Sequence, residues 1–433
     1  MAEIRPLRAW RYNDQLAQNI DNLTSPLFDV VSNKQRERLY QEPYNSIHLS
    51  VPRGEYPAEE AQVALEQWKK DGIIIQDALP AIYVYYQYFN LPGSKKTYCR
   101  KGFICNIRVY DWPENVILRH ENTMPHSVND RIEILEKTAL NVSPTHGLYT
   151  DTTHELEVYM DESMQAPVFE TEDYQGVRDV LAVIHDAERI KRFLAIVKDQ
   201  QIILADGHHR YTGSLQHMKK MRKANPNHTG QEGYNFHSMY FTNTESDDLR
   251  ILPTHRLIKS IGSLDEQTFL QKAAAYFNIK TVENHNDINE IILGKPWAFG
   301  ILFQNSAYKL RLKTEMLETI DWAFPDSVKR LDLTVMHYFI IDKILGIPGK
   351  HQRKSDNIVF ERNFVKCMTS VFRGEVDLAI VTNDILMDDV KKVCHSGYTL
   401  PQKSTYFYPK VICGFVFSSI KENEFTIPAH FSV

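Results

Sequence analysis

The sequence predicts a mixed α/β protein, and three observations carry that reading. Runs rich in aromatic and β-branched residues, such as 81–89 (AIYVYYQYF) and 236–243 (FHSMYFTN), read as strands. Segments of helical period fall between such runs along the whole 433 residues, so strands and helices interleave rather than segregate. At 201–222 an apolar run stops at a glycine turn and a helix-compatible run starts at once.

The elements follow in order. Ala58, Ala61, Ala64, Leu65 and Trp68 recur near a 3.6 period and predict a helix over 57–71. Strands are expected at 73–75, 81–89, 103–110 and 116–118. A helix is expected over 128–140, with the acid of Asp130-Arg131 complementing the dipole at its start. A short strand at 147–149, a buried strand or short helix at 177–184 and a helix at 187–197 lead to the strand of 201–205 and the helix of 211–222. After the 236–243 strand the texture changes. A helix is expected at 264–277, a strand at 297–303 with 308–312 opposite it, and a strong amphipathic helix at 331–345. A basic loop at 348–355, a strand at 376–381, a helix at 387–395 and a final strand at 411–418 complete the chain. No repeat or low-complexity linker intervenes. The expectation is two α/β regions, 1–260 and 261–433, joined tightly, with the last strand and the 401–410 loop returning to the first.

Composition narrows the function classes. Hydrophobic residues at 43% and charged residues at 24% match globular proteins, which argues against wholesale disorder. A net charge of -5 argues against a dedicated nucleic-acid binder, so no nucleic-acid partner is expected. Cys99, Cys105, Cys367, Cys394 and Cys413 are scattered and form no C-x-x-C pair, which points to free thiols in a reducing cytoplasm rather than structural zinc. Residues 1–10 lack the apolar core of a signal peptide. No apolar run approaches the roughly 20 residues of a membrane span. A cytoplasmic protein without a membrane partner is expected, and the Asn-x-Ser/Thr triplets at Asn22, Asn141 and Asn227 are then incidental.

Five short clusters concentrate polar chemistry beside apolar runs. In the first, Asp206-Gly207-His208-His209-Arg210, a strand ending at glycine opens a helix. That aims N–H groups and a positive dipole end at one point, where anions are favoured. The plain alternative is a polar turn with a surface histidine pair. In the second, Arg119-His120-Glu121-Asn122-Thr123, Glu121 is a candidate general base or metal ligand, against a turn-and-cap segment. The third, Pro253-Thr254-His255-Arg256, is placed at the end of an apolar strand. The fourth runs from Pro401 to Lys410 and pairs Lys403 and Lys410 with the hydroxyls of Ser404 and Thr405, suiting an oxyanion. A solvated loop with packed aromatics is the alternative. The fifth, Ser25-Pro26-Leu27-Phe28-Asp29, offers Asp29 as a further candidate. The chain has no Walker A loop, no G-x-G-x-x-G, no G-x-S-x-G elbow and no H-E-x-x-H.

The stretch Ala205-Asp206-Gly207-His208-His209-Arg210-Tyr211 resembles the signature of the DUF1015 family. The other blocks agree in order: Ile4-Arg5-Pro6, Ser25 to Val30, Arg119 to Thr123 with Asp130-Arg131, Ser143-Pro144, Pro253 to Arg256, and Pro401 to Lys410. At the start, Ser-Pro-Leu-Phe-Asp-Val stands where the family usually has Pro-Pro-Tyr-Asp-Val. The likeness spans nearly the whole chain but names no reaction. The turn alone is similar to that of free serine kinases of the ParB/sulfiredoxin-like superfamily, which implies a core of that type. There the turn and its helix hold nucleotide phosphates, and a separate Glu is the base. Sulfiredoxins carry a cysteine where His208 stands, so their chemistry is not expected.

The leading expectation is therefore kinase-like phosphoryl transfer from a nucleotide, ATP or ADP with Mg²⁺, to a small hydroxyl compound, free L-serine first. His208, His209, Arg210 and the N–H groups from Gly207 onward would hold phosphates. Asp206 would hold Mg²⁺ or orient a histidine, and Glu121 would be the base. Arg119, His120, Thr254, His255, Arg256, Lys403, Ser404, Thr405 and Lys410 would neutralise charge or bind substrate. A non-catalytic nucleotide or anion sensor and a metal-dependent phosphodiesterase are the alternatives. Oligomeric state is left open.

Overall fold

The computed structural model describes residues 1–91, 94–260, 262, 264–352, 355–400 and 404–428. The chain divides into two compact units. Met1–Arg119, Thr123–Arg250 and the segment from Pro409 onward form the first; His120–Asn122 and Ile251–Tyr408 form the second. The texture of the sequence sets the division after 260; the compact units divide after Arg250.

Mixed α/β architecture is what forms. Among the described residues the first unit is built on a nine-stranded sheet. Its path runs Ile117–Arg119, Ile202–Asp206, Thr145–Tyr149, Phe236–Asn243, Thr97–Arg108, Ile82–Asn90, Arg178–Ile184 and Phe169–Glu172, and Ile4–Arg5 also pairs with Thr97–Arg108. Two pairings are parallel, Ile202–Asp206 on Ile117–Arg119 and Phe236–Asn243 on Thr145–Tyr149, and the others are antiparallel. Ile82–Asn90 is buried along most of its length, as a near-continuous apolar run requires of a strand covered on both faces. Helix Pro125–Thr138 packs between Pro57–Lys70 and His208–Ala224. Phe103 anchors the core, 4.8 Å from Phe193 and 5.2 Å from Phe241 between ring centroids.

Among the described residues the second unit carries a six-stranded antiparallel sheet in the order Phe277–Val282, Ala307–Leu312, Ala298–Leu302, Leu378–Val381, His255–Ile258, Ile358–Glu361. Strand alternation sorts its side chains into two apolar clusters. Ile258, Leu378 and Ile380 join one with Phe277, Phe299 and Phe339; Leu257, Ala379 and Val381 join the other.

Several elements differ from expectation. The 411–418 run forms no strand beyond Ser418–Ser419; isolated bridges, Ser25 to Cys413 and Trp10 to Phe417, hold it instead. The expected helix at 331–345 is an α-turn, Asp332–Val335, continued by a π-helix, Met336–Ile344. The helix beginning at Glu266 stops at Tyr276, because Phe277 already starts a strand. Residues Gly349–Gln352 of the expected basic loop are helical. Pro253 and Thr254 follow the strand Arg250–Leu252, and His255 and Arg256 open a further strand, His255–Ile258. Asp130 lies in the second turn of Pro125–Thr138, since Pro125 supplies the first helical position. The 177–184 run, open between strand and helix, is the strand Arg178–Ile184. All five cysteines are free thiols. Among the described residues no helix is long and apolar enough to cross a membrane.

Close approach of backbones demands glycine at position 102. A Cβ there would lie 2.3 Å from the Phe241 carbonyl oxygen and 2.5 Å from Tyr240 Cε2. Gly102→Ala is expected to destabilise the first unit by about 2 kcal/mol or more through overpacking. Gly72→Ala meets no atom within 4 Å at φ +67°, and should cost only about 1 kcal/mol of left-handed strain. Denaturant midpoints of the two variants test that ranking.

Candidate functional site

The turn of the first unit is built by one residue with special backbone geometry. Strand Ile202–Asp206 shifts register between Leu204 and Asp206 against Thr145–Tyr149. Gly207 then turns into the left-handed region, at φ 88° and ψ 27°, and caps the 17-residue helix His208–Ala224. Only glycine fits: a Cβ would lie 2.6 Å from Thr145 Cγ2 and 2.9 Å from Arg210 Nη2. Gly207 has no side chain with which to cap the helix, whose start presents the positive end of the helix dipole, a position that favours anions.

Asp206 is clamped by two cations. Its Oδ1 contacts the Lys410 ammonium, and its Oδ2 lies 3.1 Å from Arg210 Nη2. Burial alone would raise its pKa, but Lys410 and Arg210 overcome that and hold the carboxyl well below the usual range. Both oxygens are thus engaged with cations, and the residues present do not fit Mg²⁺ at Asp206. A metal there would have to displace a cation that is already paired.

Arg210 turns inward. It is 8% exposed, and its Nη1 donates to Ser143 Oγ at 3.0 Å and to the Pro144 carbonyl at 2.5 Å. It borders a small cavity of about 40 Å³ with Asn141, Arg131 and Ser214. His237 bridges Ser214 Oγ at 2.7 Å and Thr145 Oγ1 at 3.1 Å. Burial and then Arg210 push its pKa down to about 3, so it is neutral.

His208 opens the helix and is buried. His209 is half-buried, and its Nε2 accepts the Met124 N–H at 3.1 Å, which places the ring proton of the neutral form on Nδ1. Burial lowers its pKa, with the Asp29 carboxylate opposing. Asp29 therefore lies within electrostatic reach of the turn. Arg119 stacks instead over the Trp112 ring, 4.6 Å from its centroid.

Six of the other predicted residues, with Glu121, belong to the second unit. Glu121 Oε1 accepts the N–H groups of Ser404 at 3.2 Å and Thr405 at 3.4 Å, and the Thr405 hydroxyl at 3.2 Å. His120 Nε2 meets the same hydroxyl at 2.7 Å. Arg256 is fully buried, donates to the Thr254 carbonyl and reaches His337 Nε2 at 3.3 Å. Burial pulls its pKa down to about 9, with Glu121 opposing. His255 Nδ1 accepts the Thr382 N–H at 3.2 Å. Lys403 lies outside the described residues.

The predicted residues thus fall into two groups, Asp206 to Arg210 with Lys410 and Arg119 in one unit, His120, Glu121, Thr254 to Arg256, Ser404 and Thr405 in the other. Sequence reasoning missed the buried polar residues beside the turn. Gln87 Nε2 donates to the Lys410 carbonyl at 2.9 Å and to Asp179 Oδ1 at 2.7 Å. The signal was present: Gln87 and Asp179 are polar interruptions of strongly apolar strands.

The chain belongs to the family described as a protein of unknown function (DUF1015), whose model matches residues 4–334. No curated protein matches it. Among solved structures it is similar to a conserved hypothetical protein from Pyrococcus furiosus, at 12% identity and a TM-score of 0.35, covering 75% of this chain and 97% of that one. A free serine kinase in complex with AMP aligns at 12% identity and a TM-score of 0.35, covering 75% and 93%. SbnI with a C-terminal truncation, from Staphylococcus aureus, aligns at 12% identity and a TM-score of 0.35, covering 72% and 86%. Superpositions this loose fix no residue equivalence.

Neutral buried histidines make acid sensitivity a direct consequence of the geometry. The pKa values of His237, His255 and His337 are pushed down to about 3, 4 and 3, chiefly by burial. A depressed folded value means that the unfolded state takes up the proton first. Stability is therefore full above about pH 6.5 and falls with pH toward the folded values. At pH 5 the loss should be on the order of 2 kcal/mol per histidine. Urea midpoints at pH 7.5 and 5 measure it in the second unit, where His255→Gln should reduce the dependence. In the first unit Asp179, pushed up to about 7, gains stability as pH falls and offsets His237. Asp206, whose folded pKa is lowered, should contribute only below about pH 4.

Proposed function

We propose that the Asp206–Arg210 turn binds the phosphates of a nucleotide and that the protein transfers a phosphoryl group to a small hydroxyl compound, with free L-serine as the first acceptor to test. The observation that carries the reading is the left-handed Gly207 cap on a helix with no side-chain cap, beside a lysine held in place by Asp206. Phosphoryl transfer asks mainly for positioning and charge neutralisation, and a helix N-terminus with a fixed ammonium supplies both. The choice of serine comes from the likeness of the turn sequence to that of free serine kinases.

In the reaction, the acceptor hydroxyl oxygen forms a bond to the terminal phosphorus. The bond from that phosphorus to the bridging oxygen breaks, and its electron pair leaves with the shortened nucleotide. The hydroxyl proton needs a base. His209 is neutral at pH 7, and a hydroxyl replacing the Met124 N–H at Nε2 would find its lone pair. Glu121 receives no part in the reaction, because its carboxylate serves the backbone at Ser404 and Thr405. Asp206 acts as the positioning residue for Lys410, and Mg²⁺ would enter with the nucleotide phosphates rather than through Asp206.

A non-catalytic nucleotide sensor is the second reading. It is favoured by the internal pairing of Asp206 and Arg210, which leaves neither free to act on substrate.

Incubation of the purified chain with ATP, ADP or pyrophosphate, Mg²⁺ and a panel of amino acids, followed by ³¹P NMR, tests the proposal. O-phosphoserine is expected, and His209→Gln should slow its formation by about a hundredfold or more while nucleotide affinity holds. Asp206→Asn should weaken nucleotide binding by releasing Lys410. Binding without donor consumption selects the sensor. No donor consumption, with Asp206→Ala binding nucleotide as the wild type does, removes both readings.

A further inference from the structure

The second unit holds a cavity of about 400 Å³, a volume that takes a small organic ligand. Leu293, Leu331, Leu333, Ile385 and Leu386 supply much of its wall, together with the indole-bearing Trp297. Leu293 and Leu386 are 66% and 65% exposed, so the apolar lining continues out to solvent. Wall and rim together fit an apolar body entering from outside.

One charged group on this wall has no counter-ion among the described residues. Asp332 is half-buried and accepts only neutral donors, the Trp297 N–H at 2.8 Å and Asn383 Nδ2 at 3.5 Å. The cations that line the cavity among the described residues, Lys295 and Arg330, are committed elsewhere, as is the Lys392 beside Asp389. Lys295 donates to the Ile291 carbonyl at 2.7 Å, Arg330 pairs with Glu318 at 3.0 Å, and Lys392 pairs with Asp389 at 3.2 Å. Burial and then the neighbouring Asp389 carboxylate raise the Asp332 pKa, with the Trp297 and Asn383 hydrogen bonds opposing. A carboxylate in such a place is stabilised by a cation that the protein itself does not provide.

Trp297 adds the second half of the recognition. It sits at φ 56°, a left-handed conformation that is costly for a bulky aromatic residue. Its backbone N–H is spent on Asp332, and its Nε1 donates to the Arg330 carbonyl at 2.7 Å, which fixes the ring. Tryptophan is the best side chain for holding a cation over its face.

We propose that this cavity binds a small organic ammonium compound, with the cationic nitrogen at Asp332 and Trp297 and the apolar body against the leucines. The site lies wholly within the second unit and does not rest on the nucleotide reading.

Calorimetric titration of the full chain with phenethylammonium, 2-phenylethanol and 3-phenylpropionate tests it. The ammonium should bind at least about tenfold more tightly than the alcohol, and the carboxylate least. Asp332→Asn should weaken the ammonium by about tenfold and leave the alcohol unchanged. Leu386→Lys, at an exposed position where the fold is not at risk, places a cation on the rim and should also weaken only the ammonium. Equal binding of all three probes, or none at about millimolar concentration, overturns the proposal. So does ammonium binding that neither variant alters. If Asp332→Asn fails to fold, the Leu386→Lys result decides alone.

Discussion

The ion cluster of Asp206, Lys410 and Arg210 organises the first unit. Arg210 lies four residues after Asp206, one helical turn on, so the start of the helix folds back onto the end of the strand. Its Nη1 reaches Ser143 and Pro144, and Lys410 ties in the chain from 409 onward. One carboxylate therefore fixes a strand, a helix, a loop and a distant chain segment. A lone buried carboxylate would cost several kcal/mol, and two cations offset that cost only while both stay in place. The turn owes its shape as much to this pairing as to Gly207.

The pairing continues into a buried polar layer. The Lys410 carbonyl accepts from Gln87, Gln87 also donates to Asp179, and Tyr85 donates to Asp179 at 2.5 Å. Burial pushes Asp179 up to about 7, with Tyr85 and Gln87 opposing. Arg100, also buried, donates to Gln87. In a low dielectric such chains hold only if their members are mutually satisfied, so placing Lys410 correctly depends on residues in the central strands. A change at Gln87 would reach the turn without touching it.

The strand-turn-helix was legible because local rules suffice for it. An apolar run, a glycine where the backbone must reverse hand, and a helical period together allow few other conformations. The 411–418 run misled for a related reason. VICGFVFS is apolar because Phe415, Val416 and Phe417 are buried, and burial does not require a ladder partner. Periodicity reports what is hidden from water, not which backbone it pairs with. The Lys410 to Asp206 contact spans 204 residues, and nothing local announces it. Gln87 and Asp179 were readable as anomalies, yet their partners were not. Spacing along the chain gathers residue types into clusters, but contacts between distant clusters, such as Lys410 with Asp206, are set by the fold.

Glu121 and Asp206 show how the same functional group acquires different work. Glu121 belongs to a three-residue segment that joins the second unit, where it forms a parallel bridge with Leu400 and accepts from the backbone at Ser404 and Thr405. Its charge also opposes the burial of Arg256. Asp206 is likewise compensated within its own unit, by Lys410 and Arg210. Each unit has thus settled its most deeply buried charges internally, and groups so settled gain little from a ligand. A ligand has more to offer groups held only by neutral partners, such as His209, which accepts the Met124 N–H, and Asp332, which accepts from the Trp297 N–H and Asn383 Nδ2. The paired charges Asp206, Lys410 and Arg210 are thus framework, holding strand, helix and the chain from 409 onward together.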